Sequence, residues 1–223
     1  MVLIFAHRGA SAVAPENTMA AFNAAVDAGA DGIEFDVRLS QDGVPVVIHD
    51  ETLYRTAGVR GRVRDMSLDQ LSQFDVPSVA QVFELFQSNN LVLNAEMKSH
   101  ETQMVEECCR LVEQYGLKDR VIFSSFEHSL LARIKNINPS LKTAALFQPP
   151  AAFMLKRARA IGADGIALHY RLATPRLVDD ANREGLKVAV WTVDDPAWVK
   201  HAEAMDVYAL ITNNPSALIK LRG

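Results

Sequence analysis

Short apolar runs alternate with amphipathic helical stretches along the chain, and this alternation constrains the fold more than any other feature. The predicted strands are 2–6, 32–38, 46–49, 91–96, 121–124, 143–147, 165–168, 187–192 and 209–212. The predicted helices are 18–28, 79–87, 102–115, 128–136, 151–161, 175–184, 196–204 and 215–220. Strands that alternate with helices indicate a parallel sheet covered by helices. About eight such units within 223 residues favour one TIM-type (β/α)8 barrel domain, residues 1–223, over a doubly wound sheet.

The second and third predicted strands depart from this pattern. They lie too close together for a parallel crossover, which needs about a dozen residues or more. Asp42-Gly43 between them is typical of a two-residue hairpin turn. We therefore predict an antiparallel β-hairpin over Gly32–His49. In that register Asp36 faces His49 directly, on the same side of the sheet.

Residues 51–78 form the least regular stretch of the chain. Four arginines and two glycines lie in it, and no helical period is evident. We predict a short, mobile, basic flap, inserted into the barrel beside the strand end that holds His49. A solvated loop without a role is an equally good interpretation.

Three carboxylates are predicted at strand ends. Glu34 and Asp36 share one face of the second strand, whose other face is apolar and is expected to pack on helices. Glu96 shares a face with Lys98 where the fourth strand ends. Because buried carboxylates are costly without a cation, a hard divalent ion such as Mg²⁺ or Ca²⁺ is one solution. For Glu34 and Asp36 the alternative is an edge strand whose polar face is exposed to solvent. For Glu96 the alternative is a buried salt bridge to Lys98 without a catalytic role.

Two further groups of side chains suggest a site for an anion. His7-Arg8-Gly9 ends the first strand, and the ends of barrel strands build active sites. A cation beside a glycine that lets the backbone bend suits a phosphate. Phe126 and Trp191 follow two later strands and are candidates for an apolar wall, although core packing is the default for either aromatic ring.

The segments that carry these residues occur in a fixed order along almost the whole chain. They are His7-Arg8-Gly9, Pro15-Glu16-Asn17-Thr18, Glu34-x-Asp36, Asp42-Gly43-x-Pro45, His49-Asp50, Glu96-x-Lys98, Ser125-Phe126, Trp191-Thr192 and Ile211-Thr212-Asn213-x-Pro215. Together they resemble the glycerophosphodiester phosphodiesterase family. No single motif is specific, but the ordered set is.

The resemblance implies a TIM-like barrel, one divalent cation, and hydrolysis of small-molecule glycerophosphodiesters to sn-glycerol 3-phosphate and an alcohol. The implied roles are His7 and His49 as the acid–base pair, Glu34, Asp36 and Glu96 as metal ligands, and Arg8, Lys98, Phe126 and Trp191 as substrate contacts. The segment between His49 and the helix at Val79 looks shorter than the insertion of many members.

Composition limits the other partners. A net charge of −4 gives no reason to expect nucleic-acid binding. The opening Met1–Ala6 carries no targeting pattern, and its apolar run is too short to span a membrane. Cys108 and Cys109 are adjacent in a predicted helix, so a mutual disulfide is not expected, and a cytoplasmic protein without stable membrane association is predicted.

The residues alone leave several questions open. A phospholipase-type phosphodiesterase acting on a lipid headgroup would use the same side chains. A catalytically silent barrel that binds a phosphorylated metabolite is a second alternative, and a sugar-phosphate isomerase would not need the three carboxylates. The headgroup, the choice between Mg²⁺ and Ca²⁺, the nucleophile, which histidine is the acid, and the oligomeric state stay undetermined.

Overall fold

In the computed structural model, which describes residues 1–98 and 101–222, eight parallel strands close into a barrel. The strands are β1 (Leu3–His7), β2 (Gly32–Leu39), β3 (Pro45–Val47), β4 (Val92–Met97), β5 (Val121–Ser125), β6 (Lys142–Phe147), β7 (Gly165–His169), β8 (Lys187–Trp191) and β9 (Ala209–Thr212). Strand β1 pairs with both β2 and β9, which closes the barrel, and β3 is an antiparallel addition to β2. The predicted (β/α)8 architecture is confirmed.

Helices cover the outside of the barrel. They are α1 (Met19–Asp27), α2 (Tyr54–Ala57), α3 (Leu68–Ser72), α4 (Val79–Phe86), α5 (Thr102–Gln114), α6 (His128–Ile137), α7 (Met154–Ala160), α8 (Pro175–Arg183), α9 (Trp198–Ala204) and α10 (Pro215–Ile219), with 3-10 turns at Val63–Asp65 and Tyr170–Leu172. The main apolar core lies between these helices and the outer faces of the strands. Every predicted strand and helix is present, with ends that differ by at most three residues.

Local sequence signals explain where the helices begin. Ser78 forms a capping box with Gln81 at the start of α4. The hydroxyl of Thr18 accepts a hydrogen bond from the backbone of α1. Asn214 caps α10, with Pro215 in the first turn.

The predicted register of the hairpin is wrong by one residue. Val37 lies opposite Val47, and the backbone N–H of Ile48 donates to the Asp36 carbonyl at 3.0 Å, so His49 does not face Asp36. The cause is the length of the loop, which has three residues, 41–43, and not two. Gly43 takes the left-handed conformation that ends such a loop (φ +77°).

His49 still reaches the site by another route. Strand β3 ends at Val47, so the rule of alternating faces no longer applies two residues later. The guanidinium of Arg38 donates from Nε to the His49 carbonyl at 2.7 Å and fixes the backbone there. An anchored backbone beyond the strand end therefore replaces the predicted cross-strand pair.

The insertion after β3, residues 51–78, folds around a small apolar cluster of its own. Leu53, Val63, Leu71 and Val76 are buried there against Val46 and Ile48 of the hairpin. The stretch predicted as irregular therefore contains two short helices and a 3-10 turn. Its packing on the hairpin places it beside His49.

Two smaller predictions concern the thiols and the membrane. Cys108 and Cys109 are buried free thiols, as expected for neighbours on a helix. Within the described residues, no helix combines the length and the apolar character needed to cross a bilayer.

Candidate active site

A cavity of about 190 Å³ opens at the carboxyl ends of the barrel strands. Eight of the nine predicted site residues line it: His7, Arg8, Glu34, His49, Glu96, Lys98, Phe126 and Trp191. The ninth, Asp36, is completely buried and contacts the side chains of Arg8 and Lys98. The structure thus brings the whole predicted set together.

The carboxylates of Glu34, Asp36 and Glu96 form a buried cluster. Their facing oxygen atoms all lie within 4.8 Å of one another. The parallel register explains this closeness, because Asp36 on β2 lies alongside Glu96 on β4, and Glu34 lies two residues earlier on the same face. All three residues are at most 8% exposed.

Burial and mutual repulsion perturb these acids. Burial, with the neighbouring Asp36 charge, raises the pKa of Glu34 and the pKa of Glu96 well above their ordinary value. Burial alone would also raise the pKa of Asp36, but Lys98 and Arg8 hold it below its usual range. Asp36 is therefore the first of the three carboxyl groups to lose its proton as the pH rises.

Two cations partly neutralise the cluster. Arg8 Nε lies 3.2 Å from one oxygen of Asp36. Lys98 Nζ lies 3.2 Å from the other oxygen of Asp36 and 2.5 Å from Glu96 Oε1. If all three carboxyls were ionised, the two cations would leave one surplus negative charge, which fits a hard divalent ion held by oxygen ligands.

The backbone after β1 bends so that the N–H group of Arg8 points at the carboxylate cluster. Arg8 and Gly9 both take left-handed conformations (φ +56° and +78°), and the Arg8 backbone N–H donates to Glu34 Oε2 at 3.0 Å. A side chain at Gly9 would lie 2.6 Å from the backbone of Ala21. Glycine is therefore required where the sequence predicts a bend.

Each histidine is held through Nδ1, and Nε2 of His7 lies 3.9 Å from Glu34 Oε2. His7 Nδ1 lies 2.7 Å from Asn213 Oδ1, and His49 Nδ1 lies 2.7 Å from Asp50 Oδ1. Asn213 is itself held, since its amide donates to Asp194 at 2.6 Å. Burial lowers the pKa of both imidazoles, which favours their neutral forms near neutral pH.

Sequence reasoning missed the residues that support this site. Asn213 holds His7, Asp50 holds His49, and the Asn17 amide donates to Asp36 Oδ2 at 2.8 Å. Glu16 accepts from Arg8 at 2.8 Å. All four residues lie within the segments that carry the family resemblance. Their place in those segments is the one feature of the sequence that marks them.

The two predicted aromatic residues form one wall of the cavity. The rings of Phe126 and Trp191 meet edge to face with centroids 5.6 Å apart. Trp191 Nε1 donates to the Ala167 carbonyl at 3.1 Å, which fixes the indole. Phe126 remains 39% exposed, so its ring is available to an apolar part of a ligand.

A larger cavity, about 640 Å³, lies at the opposite end of the barrel, where β7 and β8 begin at Gly165 and Lys187. None of the nine predicted site residues lines it. The smaller cavity, where buried carboxylates, imidazoles and cations meet, is therefore the candidate active site.

Fold and site together define a (β/α)8-barrel enzyme with acid, base and cationic side chains gathered at the carboxyl ends of its strands. Residues 7–217 match the Glycerophosphoryl diester phosphodiesterase family. The chain belongs to that family.

Similar proteins agree over nearly the full length. A glycerophosphodiester phosphodiesterase of Caldanaerobacter subterraneus is 35% identical, over 98% of this chain and 97% of its own. The structure of a glycerophosphodiester phosphodiesterase from Thermotoga maritima has a TM-score of 0.88 and 28% identity, over 100% of this chain and 99% of its own. An Oleispira antarctica phosphodiesterase, solved with the product sn-glycerol-3-phosphate, shares the fold with a TM-score of 0.90 at 24% identity, over 98% of this chain and 96% of its own.

Proposed function

We propose that this protein hydrolyses glycerophosphodiesters to sn-glycerol 3-phosphate and an alcohol, with one divalent cation and two histidines. Family membership and the names of the full-length relatives support the substrate class. The observation that carries the mechanism is the cluster of three buried carboxylates, flanked in one cavity by two imidazoles and two cations.

The cation would be held by Glu34, Asp36 and Glu96. When bound, it supplies positive charge that stabilises the phosphoryl oxygens of the diester. Mg²⁺ and Ca²⁺ both suit carboxylate oxygens, and the choice between them stays open.

Arg8 and Lys98 add fixed positive charge beside the same oxygens. Both side chains contact Asp36 and line the cavity, so a phosphate bound there lies against them. Preorganised charges of this kind favour the transition state of phosphoryl transfer over the free diester.

His7 and His49 move the protons. One imidazole, neutral at the start, takes a proton at Nε2 from the attacking hydroxyl, and the other, which must start as the imidazolium, gives its Nε2 proton to the leaving alkoxide. Nδ1 of each ring is fixed by Asn213 or Asp50, so Nε2 is the atom that exchanges the proton. The nucleophile is either water or the neighbouring hydroxyl of the substrate's glycerol, which would pass through a cyclic phosphate.

Phe126 and Trp191 bind the apolar side of the glycerol or of the leaving alcohol. Their edge-to-face packing presents a rigid surface at the mouth of the cavity. A cytoplasmic location and the absence of a nucleic-acid partner stay predictions.

The test is release of sn-glycerol 3-phosphate from a panel of glycerophosphodiesters and from an intact phospholipid, with Mg²⁺, with Ca²⁺ and after exhaustive chelation. Release from the diesters that chelation abolishes and a divalent ion restores is expected. Full turnover after chelation would contradict the metal role. Release only from phospholipid would favour the lipid-headgroup alternative, and binding without release would favour a silent barrel.

A further inference from the structure

Arg55 lies in the insertion, on α2, and touches two acidic side chains from different parts of the chain. Its Nε donates to Asp50 Oδ2 at 2.6 Å. Its two terminal nitrogens donate to the two oxygens of Glu16, at 2.8 and 2.7 Å. All three nitrogens of the guanidinium are therefore used, in the planar fork geometry that only arginine provides.

Each of these carboxylates also contacts a residue of the proposed machinery. Asp50 Oδ1 lies 2.7 Å from His49 Nδ1. Glu16 Oε1 accepts from Arg8 at 2.8 Å, in addition to its bond from Arg55. A continuous chain thus runs from His49 through Asp50, Arg55 and Glu16 to Arg8.

This chain joins two sides of the site that share no strand pairing. His49 follows the hairpin strand β3, and Arg8 follows β1, which pairs with β2 and β9 but not with β3. The charges of Asp50 and Glu16 would repel each other without the guanidinium between them. The hydrogen bond from Arg55 is the main reason that the pKa of Asp50 is as low as about 2, so Asp50 is held as a carboxylate.

We propose that Arg55 is a positioning residue, which sets the orientation of His49 and of Arg8 at the same time through Asp50 and Glu16. The inference rests on the proposed function, because it assigns Arg55 a part in that reaction. Arg55 is not among the residues that line the cavity, and the hydrogen bonds of its guanidinium described above go to Asp50 and Glu16, so its effect is indirect. Its loss acts on proton transfer and phosphate orientation more than on substrate binding.

Arg55→Met keeps the unbranched apolar part of the side chain and removes the three donor nitrogens. We expect kcat to fall about 10–100-fold, the range seen when partners that orient functional groups are removed, with KM changing less than about threefold. Arg55→Lys keeps the charge but cannot fill three donor positions, and we expect it to recover less than half of the lost kcat. Arg64→Met is the matched control, since Arg64 is an exposed arginine of the same insertion with a contact at 3.8 Å to its neighbour Asp65.

A spectroscopic measurement separates this inference from the proposed function. The ¹⁵N signals of the His49 ring, assigned by their loss in His49→Ala, report the hydrogen bond at Nδ1 whether or not the protein turns over a diester. We expect them to shift in Arg55→Met and to stay in place in Arg64→Met. Inactivity of the wild-type protein on every diester would contradict the proposed function and leave this readout intact.

Three outcomes would overturn the role of Arg55. They are a kcat within twofold of wild type in Arg55→Met, an equal loss in Arg64→Met, and an unchanged His49 signal. Full recovery of kcat in Arg55→Lys would show that the positive charge at this position matters and that the positioning of His49 and Arg8 by the guanidinium does not. If Arg55→Met does not fold, as judged by circular dichroism, Arg55→Lys carries the test through its kcat and its His49 signal, and unchanged values there overturn the proposal.

Discussion

Replacing Glu34 by glutamine is predicted to stabilise the protein without metal and to remove its stabilisation by metal. Glutamine keeps an oxygen to accept the 3.0 Å hydrogen bond from the Arg8 backbone, and it removes a carboxyl group whose ionisation is opposed by burial and by the Asp36 charge. Among the described residues, Lys98 forms ion pairs with Asp36 and with Glu96 but not with Glu34. Glu34 is therefore the acid whose charge is least compensated by direct contact with Lys98.

The magnitude follows from the spacing of the carboxylates. Above the raised pKa of Glu34, where both groups are ionised, unit charges on Glu34 and Asp36 at 4.8 Å, the upper limit for the facing oxygens, repel by about 3.5 kcal/mol at an effective dielectric constant of about 20. Arg8 and Lys98 offset part of this repulsion. We expect Glu34→Gln to raise the free energy of unfolding in chelator by about 1–3 kcal/mol, and the Tm by roughly 2–10 °C for a chain of this length.

A divalent cation should reverse the order of the two proteins. At 1,000 times its Kd, an ion that binds only the folded wild type adds about 4.1 kcal/mol of stability, and Glu34→Gln should gain much less. Thermal melts by circular dichroism, in chelator and in a series of Ca²⁺ and Mg²⁺ concentrations, measure both effects. Glu203→Gln, an exposed acid on α9, is the matched control and should melt like wild type in both conditions.

Two results would refute this reasoning. A lower Tm for Glu34→Gln than for wild type in chelator would show that the carboxylate is stabilising and that the cluster is not strained by repulsion. Equal metal-induced shifts in Glu34→Gln and wild type would show that Glu34 holds no cation.

Three other predictions test the site. His7→Ala and His49→Ala should each lower kcat about 10²–10⁴-fold at unchanged Tm, measured by release of sn-glycerol 3-phosphate, and near-normal rates in both would reject the acid–base pair. Because the folded-state pKa values of Glu34 and Glu96 are raised, to about 8, their contribution to stability is present below about pH 4.5 and is lost as the pH rises towards 8. The Tm of the chelated protein should therefore fall over that window, the fall should shrink with a divalent ion, and a Tm independent of pH in chelator would contradict the raised values. Trp191→Ala should raise KM more than it lowers kcat, since it removes apolar contact and no proton donor, and a loss confined to kcat would contradict the role of the aromatic wall.

The sequence alone determined the barrel and the identity of the groups that meet in it. Alternation of apolar runs with amphipathic helices depends on local periods of two and 3.6 residues, which a reader can recognise without coordinates. The carboxyl ends of parallel strands meet at one end of a barrel, so residues such as His7, Glu34 and Glu96 could be placed together in advance.

Only the tertiary structure decided how the groups are held. The antiparallel hairpin is present but its predicted register was wrong, because one extra loop residue shifts the register by one and the identity of Asp42-Gly43 does not fix whether a loop has two or three residues. His49 reaches the site through an anchored backbone beyond its strand, which no alternation rule describes. The bond from His7 to Asn213 spans 206 positions of sequence, and contacts of that kind arise from closure of the barrel. Local patterns set the elements, whereas the supporting contacts depend on distances between elements that the sequence does not contain.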